Sequence, residues 1–391
     1  MENSTAVLEL GLLLLGAVAL GWAARRVGLP AVVGYLALGI AVSPFTPGFV
    51  ADRHQVALLA DLGVVLLLFE VGIEVDLLRL RREQRALLWT APLQVVATTV
   101  IAGAVATAAG VDPVAGATIG LSIALSSSVV IVNITRSSRR TTDRPTEEAL
   151  LGWSVVQDVT GVAVAAVLLS AVGAGARPLP IALLGTAGLG VAALVVAAVL
   201  PRAVAGLRAQ HDLFLIASVA CGLAVAGIGA VVFGVPLALA AFVGGLAITE
   251  TPTTAEIRRR LLPFRDLLAV LFFVGIGMLL DPAQLGAAVP WVVLFLVLLV
   301  VAKSGVAYVL ARVGSLAARP GQLAIGLGQV GEFSFVLASA LVAARAISAP
   351  VFVALIATVI VSIAASSVLV RLQGRGPKDG LTPGALAPRR R

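Results

Sequence analysis

The stretch from Gly152 to Ser170, GWSVVQDVTGVAVAAVLLS, decides how the rest of the chain is interpreted. It is apolar and long enough to cross a bilayer, yet Gln157 and Asp158 stand near its middle. An ionised Asp at the bilayer centre costs about 2.5 to 3.5 kcal/mol on insertion scales, so such residues usually face a bundle interior or a water-filled cavity. The stretch predicts a transmembrane helix whose Asp158 either pins two helices together or has a function, and its depth favours function.

The composition indicates a membrane protein throughout. Of the 391 residues, 60% are hydrophobic and 12% are charged, far from the roughly 25% charged residues of soluble domains. The single cysteine, Cys221, excludes an intrachain disulfide and a multi-cysteine metal site. The first apolar run follows two Glu and no basic residue, which predicts a retained helix and not a signal peptide. We predict an all-α polytopic membrane protein that needs no cofactor. We also predict that it is not an enzyme, because the sequence has no His-Glu-x-x-His motif, no Gly-x-Gly-Asp motif and no convincing serine nucleophile with a base in the membrane.

Hydropathy and loop charge together predict the topology. If the N-terminus is outside, the connections on the inner side carry 24 of the 28 Lys and Arg, and the outer connections carry three. The positive-inside rule then places the N-terminus outside and the C-terminus in the cytoplasm. Because the net charge of +8 belongs to these loops, no nucleic-acid partner is predicted. The thirteen predicted spans are 5–24, 30–44, 56–75, 87–109, 113–135, 149–172, 179–200, 212–231, 234–249, 263–280, 290–312, 321–343 and 349–371.

Short similarities relate the two halves of the chain. LFEVGI at Leu68–Ile73 matches LFFVGI at Leu271–Ile276, 203 residues later, and Tyr35–Gly39 resembles Phe242–Leu246 at an offset near 206. The displacement is seven spans, an odd number, so the two copies would have opposite orientations in the membrane. Spans one to six and eight to thirteen are therefore predicted to be inverted six-helix repeats, an arrangement typical of secondary transporters with a site at mid-membrane.

Two spans at matching places in the halves are rich in polar or helix-weakening residues. Span five contains GLSIALSSSVVIVN at 120–133, and span twelve contains IGLGQVGEFSFV at 325–336. For the serines, close packing of small residues is a strong alternative. The three Gly with Gln329 and Glu332 favour a broken helix lining a cavity, because irregular backbone at that depth is tolerated only there. Two interrupted helices in corresponding positions indicate a binding site.

Asp158 is the first candidate for chemistry. A carboxyl group in a partly dry cavity can hold a proton near neutral pH and still bind a monovalent cation when it is ionised, so proton and cation would compete for one charge. Gln157 can contribute an oxygen ligand or orient its neighbour. Ser154 lies one turn earlier on the same face and can supply another oxygen, the donor that hard cations prefer.

Three further ionisable residues need an explanation. Lys303 is the only Lys within a span and lies too deep to reach the interface easily, so it is predicted to pair, with Glu332 or Asp158 as the partner. Glu70 and Glu74, four residues apart, share a helix face. We assign them to an inner funnel, with a solvated helix end as the alternative for Glu74.

Taken together, these motifs closely resemble the monovalent cation:proton antiporter superfamily, in the branch of the glutathione-gated potassium efflux systems and related sodium/proton exchangers. Each motif alone is weak, but their order and spacing over residues 5–371 are specific. The motifs are Gly34–Ile40 with Pro44, Leu62–Phe69 with Gly72 and Glu74, Ser126–Ser128, Gln157-Asp158, Phe272–Gly277, Lys303 and Gly328–Phe333.

The resemblance implies a homodimer in the bacterial inner membrane. Residues 1–371 would form a scaffold and a moving core with two crossed broken helices and elevator-like alternation. It implies Asp158 as the carboxylate for cation and proton, Lys303 as a basic residue of the core, and Ser127, Ser128, Gln329 and Glu332 at the crossover. The transported ions would be H⁺ and either K⁺ or Na⁺.

The chain also departs from the pattern of the superfamily. Ser128 replaces a Thr, and Gln157 stands where two-carboxylate sodium exchangers have a first Asp. By analogy with the potassium branch, Gln157 favours K⁺ and an electrically neutral exchange of one proton per cation. A gated, channel-like potassium efflux pathway on the same scaffold is the alternative.

The tail at 372–391 is expected to be a polar, basic cytoplasmic segment too short to fold alone. The potassium branch often appends a cytosolic nucleotide-binding regulatory domain. Either regulation is absent, or a separate cytosolic subunit supplies it, or the sequence is cut from a longer one.

Overall fold

A computed structural model describes residues 2–27, 29–47, 53–74, 85–128, 130–131, 143–172, 211–235, 237–246 and 254–373, with short pieces between 181 and 195. This part of the chain is helical and contains no strand, as predicted. The α-helices are α1 Glu2–Arg26, α2 Ala31–Ala41, α3 Arg53–Glu74, α4 Leu87–Ala108, α5 Pro113–Ala124, α6 Arg144–Val172, α7 His211–Val231, α8 Leu237–Leu246, α9 Thr254–Met278, α10 Leu285–Leu298, α11 Gly305–Val313, α12 Pro320–Leu327, α13 Phe333–Ala343 and α14 Ala349–Gln373.

Several helices are long and apolar enough to cross a membrane, which confirms a multi-pass protein. Predicted spans five and twelve are interrupted, since α5 ends at Ala124 and span twelve divides into α12 and α13. The count of thirteen stays a prediction, because span 179–200 is described only in pieces. In the described residues the six membrane-length helical segments are Val7–Arg26, Leu87–Ala108, Arg144–Leu169, Arg258–Met278, Pro282–Val313 and Ala349–Ser366.

Helix packing divides most of the bundle into two groups. In the first group, which we call the outer group, α9 packs on α3 and α2, α8 packs on α3 and α7, and α1 packs on α2. In the second, the site group, α4 packs on α5 and α6, α10 packs on α14, and α13 packs on α5. Helix α8 also contacts α6 across the two groups. Each group takes helices from both halves of the chain, as an internal repeat requires.

The sequence repeat corresponds to a repeated packing contact. A Cβ on Gly39 of α2 would lie 2.1 Å from the carbonyl oxygen of Val274 in α9, and a Cβ on Gly245 of α8 would lie 2.1 Å from that of Phe69 in α3. The two glycines are 206 residues apart and the two carbonyls 205 residues apart, close to the offsets of 206 and 203 read from the sequence. Because a side chain at either glycine would collide with backbone, close helix crossing explains both glycines.

The start of α6, the helix that carries Asp158, is tied to the start of α12. The Thr146 amide donates to Oδ1 of Asp143 at 3.0 Å, and Nε of Arg319 lies 3.0 Å from Oδ2 of the same carboxylate. The Arg319 amide donates to Oγ1 of Thr146 at 2.9 Å. Burial alone would raise the pKa of Asp143, but the Thr146 and Arg319 interactions outweigh burial and lower it. These contacts set α6 against one broken helix.

Candidate functional site

The two interruptions meet backbone to backbone. Leu125 follows α5 in an extended conformation, with φ −85° and ψ 139°. Gly331, in the gap between α12 and α13, donates its amide to the Leu125 carbonyl at 3.0 Å. Both breaks predicted from composition are therefore present, and they contact each other in the interior of the site group.

Side chains from each break satisfy polar groups of the other. Ser127 N donates to Oε1 of Gln329 at 2.8 Å, and Nε2 of Gln329 donates back to the Ser127 carbonyl at 3.1 Å. Oγ of Ser126 donates to the Leu327 carbonyl at the end of α12, and Oγ of Ser334 donates to the Ser122 carbonyl in the last turn of α5. Helix-end carbonyls buried from water need such partners, so the serines do more than permit close packing.

Replacing Gly331 with Ala should disrupt this contact. A Cβ there would lie 2.6 Å from the Ser126 carbonyl group and 2.9 Å from Ser127 N, so the two breaks must move apart. We expect cation-driven proton movement in proteoliposomes to fall by about tenfold or more, since displacements below 1 Å have large effects at such sites. Gly321→Ala is the matched control, because a Cβ at Gly321 of α12 meets nothing within 4 Å. Equal transport by the two variants would contradict this interpretation of the crossing.

Lys303 lies in a π-helix, Leu299–Ser304, between α10 and α11. Such irregular turns within helices are rare and occur often at functional sites. The side chain is fully buried, which excludes snorkelling, and Nζ donates to the carbonyls of Leu125 at 2.8 Å and Gln329 at 2.6 Å. Lys303 thus binds one carbonyl from each break. Of the two carboxylates that the sequence left open as partners, Asp158 is the one whose charge interacts with Lys303.

Glu332 has a different environment. One of its oxygens accepts a hydrogen bond from Oγ of Ser127 at 3.0 Å, and its charge interacts with Arg265 and Glu70 of the outer group. The residues expected at the crossover are therefore brought together. Ser128 follows directly at the break and is partly buried.

Asp158 is 4% exposed, in the middle of α6. Ser154, buried one turn earlier, donates its hydroxyl proton to the Leu151 carbonyl at 3.0 Å, which leaves the lone pairs of its oxygen for another group. Within the part of the chain that the structure describes, no group of three or more His, Cys, Asp or Glu could hold a metal ion.

The assignment of Gln157 as a cation ligand needs correction in this conformation. Its Oε1 accepts from Ser126 N at 2.9 Å, and its Nε2 donates to Oε1 of Gln94 at 2.6 Å and to the Ala124 carbonyl at 2.8 Å. Both ends of the amide are bound within the protein, so Gln157 orients the first break. Gln94 was missed by the sequence reasoning, although a Gln inside the apolar span 87–109 was a usable signal.

The inner-funnel assignment of Glu70 is also wrong in this conformation. Its side chain is 1% exposed, and its two oxygens each receive one arginine of α9, Arg258 at 2.6 Å and Arg265 at 2.7 Å. The two ion pairs keep the carboxylate from water and join α3 to α9. We call Glu70 with Arg258 and Arg265 the Glu70 clamp. Glu74 is the last residue of α3, and its side chain lies outside the described residues.

Glu70→Gln should lower the stability of the protein in detergent. The variant loses both ion pairs, but Arg258 and Arg265 are partly exposed and can reach water, so we expect a loss of only about 1 kcal/mol. Glu148→Gln is the control, because its i,i+4 pair with Arg144 is exposed at both ends. Thermal melting monitored by fluorescence measures the stability of both variants. Equal melting temperatures would show that the ion pairs of Glu70 do not stabilise the protein.

Known proteins resemble this chain over most of its length. Residues 12–372 match the family model described as "Sodium/hydrogen exchanger, transmembrane". The chain belongs to this family. It is a family of membrane transporters of cations and protons. A relative in Escherichia coli (strain K12), YbaL, provisionally named a cation/proton antiporter, is 32% identical over 334 residues. The match covers 82% of this chain, which spans 60% of the length of that relative.

Solved structures confirm the fold. The sodium proton antiporter MjNhaP1 from Methanocaldococcus jannaschii, in a structure at pH 8, superposes with a TM-score of 0.77 at 16% identity, covering 96% of this chain and 99% of that one. An electron-microscopy structure of the same antiporter gives 0.71 at 16% identity, covering 96% and 98%. The fold class predicted from the internal repeat and the broken helices is therefore confirmed.

Proposed function

We propose that this protein exchanges a monovalent cation for protons across a membrane, with Asp158 as the shared binding group. One observation carries the proposal: a nearly fully buried carboxylate lies in the middle of a membrane-length helix, and its charge interacts with Lys303 at the contact of two broken helices. Burying such a group is costly, and a purely structural role would be served equally by an uncharged residue.

Competition for one charge gives the exchange. Ionised Asp158 holds either the cation or, on protonation, a proton, and the empty form is compensated by Lys303. Ser154, Ser127 and Ser128 offer hydroxyl oxygens as further ligands, and Gln329 and Glu332 maintain the crossing. Because Gln157 cannot ionise, we propose one proton per cation and a preference for K⁺, with Na⁺ as the alternative.

Alternating access would come from movement between the two groups of helices. The site group contains Asp158, Lys303 and both breaks, and the Glu70 clamp lies in the outer group. An elevator-like displacement of the site group past the outer group would carry the ion. Residues 1–371 would form this transport domain, and 372–391 a cytoplasmic basic tail.

The setting proposed is a homodimer in contact with lipid in the plasma membrane, the inner membrane of a bacterium. The basic connections predict the N-terminus outside and the C-terminus in the cytoplasm. A separate cytosolic regulatory subunit remains one of the alternatives for control of the site.

Proteoliposomes test the proposal. The protein is reconstituted with an internal pH dye, and Na⁺, K⁺, Rb⁺ and Li⁺ are added over a range of pH, with and without an imposed pH gradient. Exchange predicts cation-driven proton movement that saturates with cation and is greatest with K⁺. Cation flux that ignores the pH gradient would reject exchange and favour the gated channel-like pathway.

A further inference from the structure

We propose that Gln94 and Thr98 of α4 are positioning residues for the ion site. They hold the π-helix of Lys303 in register with the turn of α6 that carries Asp158. The inference rests on the proposed function of these two charged residues. Neither Gln94 nor Thr98 is needed as a ligand in that proposal, and both are fully buried.

The first half of the connection reaches the π-helix. Oγ1 of Thr98 donates to the carbonyl of Ala302 at 3.0 Å. Ala302 directly precedes Lys303, so this bond fixes the backbone from which the Lys303 side chain starts. Nε2 of Gln94 donates to Oγ1 of Thr98 at 3.1 Å, one turn away on the same helix.

The second half reaches α6 and the first break. Oε1 of Gln94 accepts from Nε2 of Gln157, and Oε1 of Gln157 accepts from Ser126 N. Gln157 directly precedes Asp158. A continuous chain of buried hydrogen bonds therefore joins the backbone beside Lys303 to the residue beside Asp158 and to the break between them.

The chain of bonds has a single consistent direction. Ser126 N–H and the indole N–H of Trp153 can only donate, and they meet Oε1 of Gln157 and Oε1 of Gln94 respectively. The amide nitrogen of Gln157 must then face Gln94, and that of Gln94 must face Thr98. Reversing either amide would bring two donors together in a buried site, which is costly. The network therefore resists rotation and can set the distance between the two charges.

Thr98→Val tests this inference, because it removes the hydroxyl and keeps the shape. In the proteoliposome assay we expect the apparent KM for the cation to rise about tenfold while the maximal rate stays within about twofold, the result for a change confined to binding. Thr98→Ser keeps the hydroxyl and should restore the wild-type KM. Thr90→Val is the matched control, since Thr90 is fully buried on the same helix and its hydroxyl donates to the carbonyl of Ala86, the residue just before that helix, at 2.9 Å.

A wild-type KM in Thr98→Val, or an equal rise in Thr90→Val, would overturn the inference. Gln94→Leu breaks the same chain of hydrogen bonds at the residue next to Thr98, and it replaces Thr98→Val as the test if that variant does not fold. An unchanged KM in Gln94→Leu would also overturn the inference. The combination of the two substitutions should be no worse than the stronger single one, because residues in one network are not additive. Asp158→Asn in the same assay tests the ion site itself, so exchange retained in that variant would reject the proposed function whatever the Thr98 result.

Discussion

Asp158→Asn should reduce cation-driven proton movement in proteoliposomes to the background of empty liposomes. The amide has nearly the same shape as the carboxyl group but cannot ionise, so it offers neither a proton site nor a negative charge for the cation. Lys303 keeps its two carbonyl hydrogen bonds in this variant, so the protein should still fold and insert. This is the largest effect we expect from any single substitution.

Asp61→Asn is the matched control, because Asp61 is an exposed carboxylate on α3, in the outer group. It should exchange at the wild-type rate. The measurement is the initial rate of dye response after a cation pulse, normalised to the amount of protein that inserts. Exchange by Asp158→Asn above the empty-liposome background would show that the shared charge lies elsewhere.

Lys303→Met should have the second largest effect. Met has a similar length but no donor, so the Gln329 carbonyl loses its Lys303 bond, whereas the Leu125 carbonyl keeps its bond from Gly331. A buried carbonyl without a partner costs about 1 to 3 kcal/mol. Loss of the neighbouring positive charge also changes the electrostatic environment of Asp158, so the pH profile of exchange should shift.

The melting temperature and the pH profile of exchange measure the two consequences of Lys303→Met. Leu299→Met is the control, because Leu299 is a buried residue of the same π-helix and a volume-conserving change there should cost less than about 1.5 kcal/mol. If Lys303→Met has the melting temperature and the pH profile of the wild type, Lys303 neither stabilises the contact between the two breaks nor acts as the partner of Asp158.

The breaks and the buried carboxylate could be predicted from sequence because each violates a local rule. Three Gly with Gln329 and Glu332 contradict a continuous apolar helix, and Asp158 contradicts the hydrocarbon around it. Local signals of this kind need no knowledge of neighbours. The repeat was readable for the same reason, since close crossings require a glycine wherever they occur, at Gly39 and again at Gly245.

The partners of these residues could not be read in the same way. The sequence left two carboxylates as possible partners of Lys303 and two possible roles for Gln157. Both depend on which side chains face each other across helices that are distant in sequence. The depth of Glu70 in its span predicts a funnel residue, but two arginines of α9 bind its carboxylate in the structure. A single amide in an apolar span, such as Gln94, is a usable signal for a buried polar contact, but only packing determines its partners Thr98 and Gln157.

The sequence by itself determined that this chain crosses the membrane many times, that two of its helices are interrupted, and that Asp158 and Lys303 lie at depth. These are properties of single segments, set by the cost of exposing polar groups to hydrocarbon. The tertiary structure alone decided that Lys303 binds one carbonyl from each break and that Gln157 is held by Gln94. Hydrogen bonds act over about 3 Å, so such pairings exist only once packing has brought distant segments together.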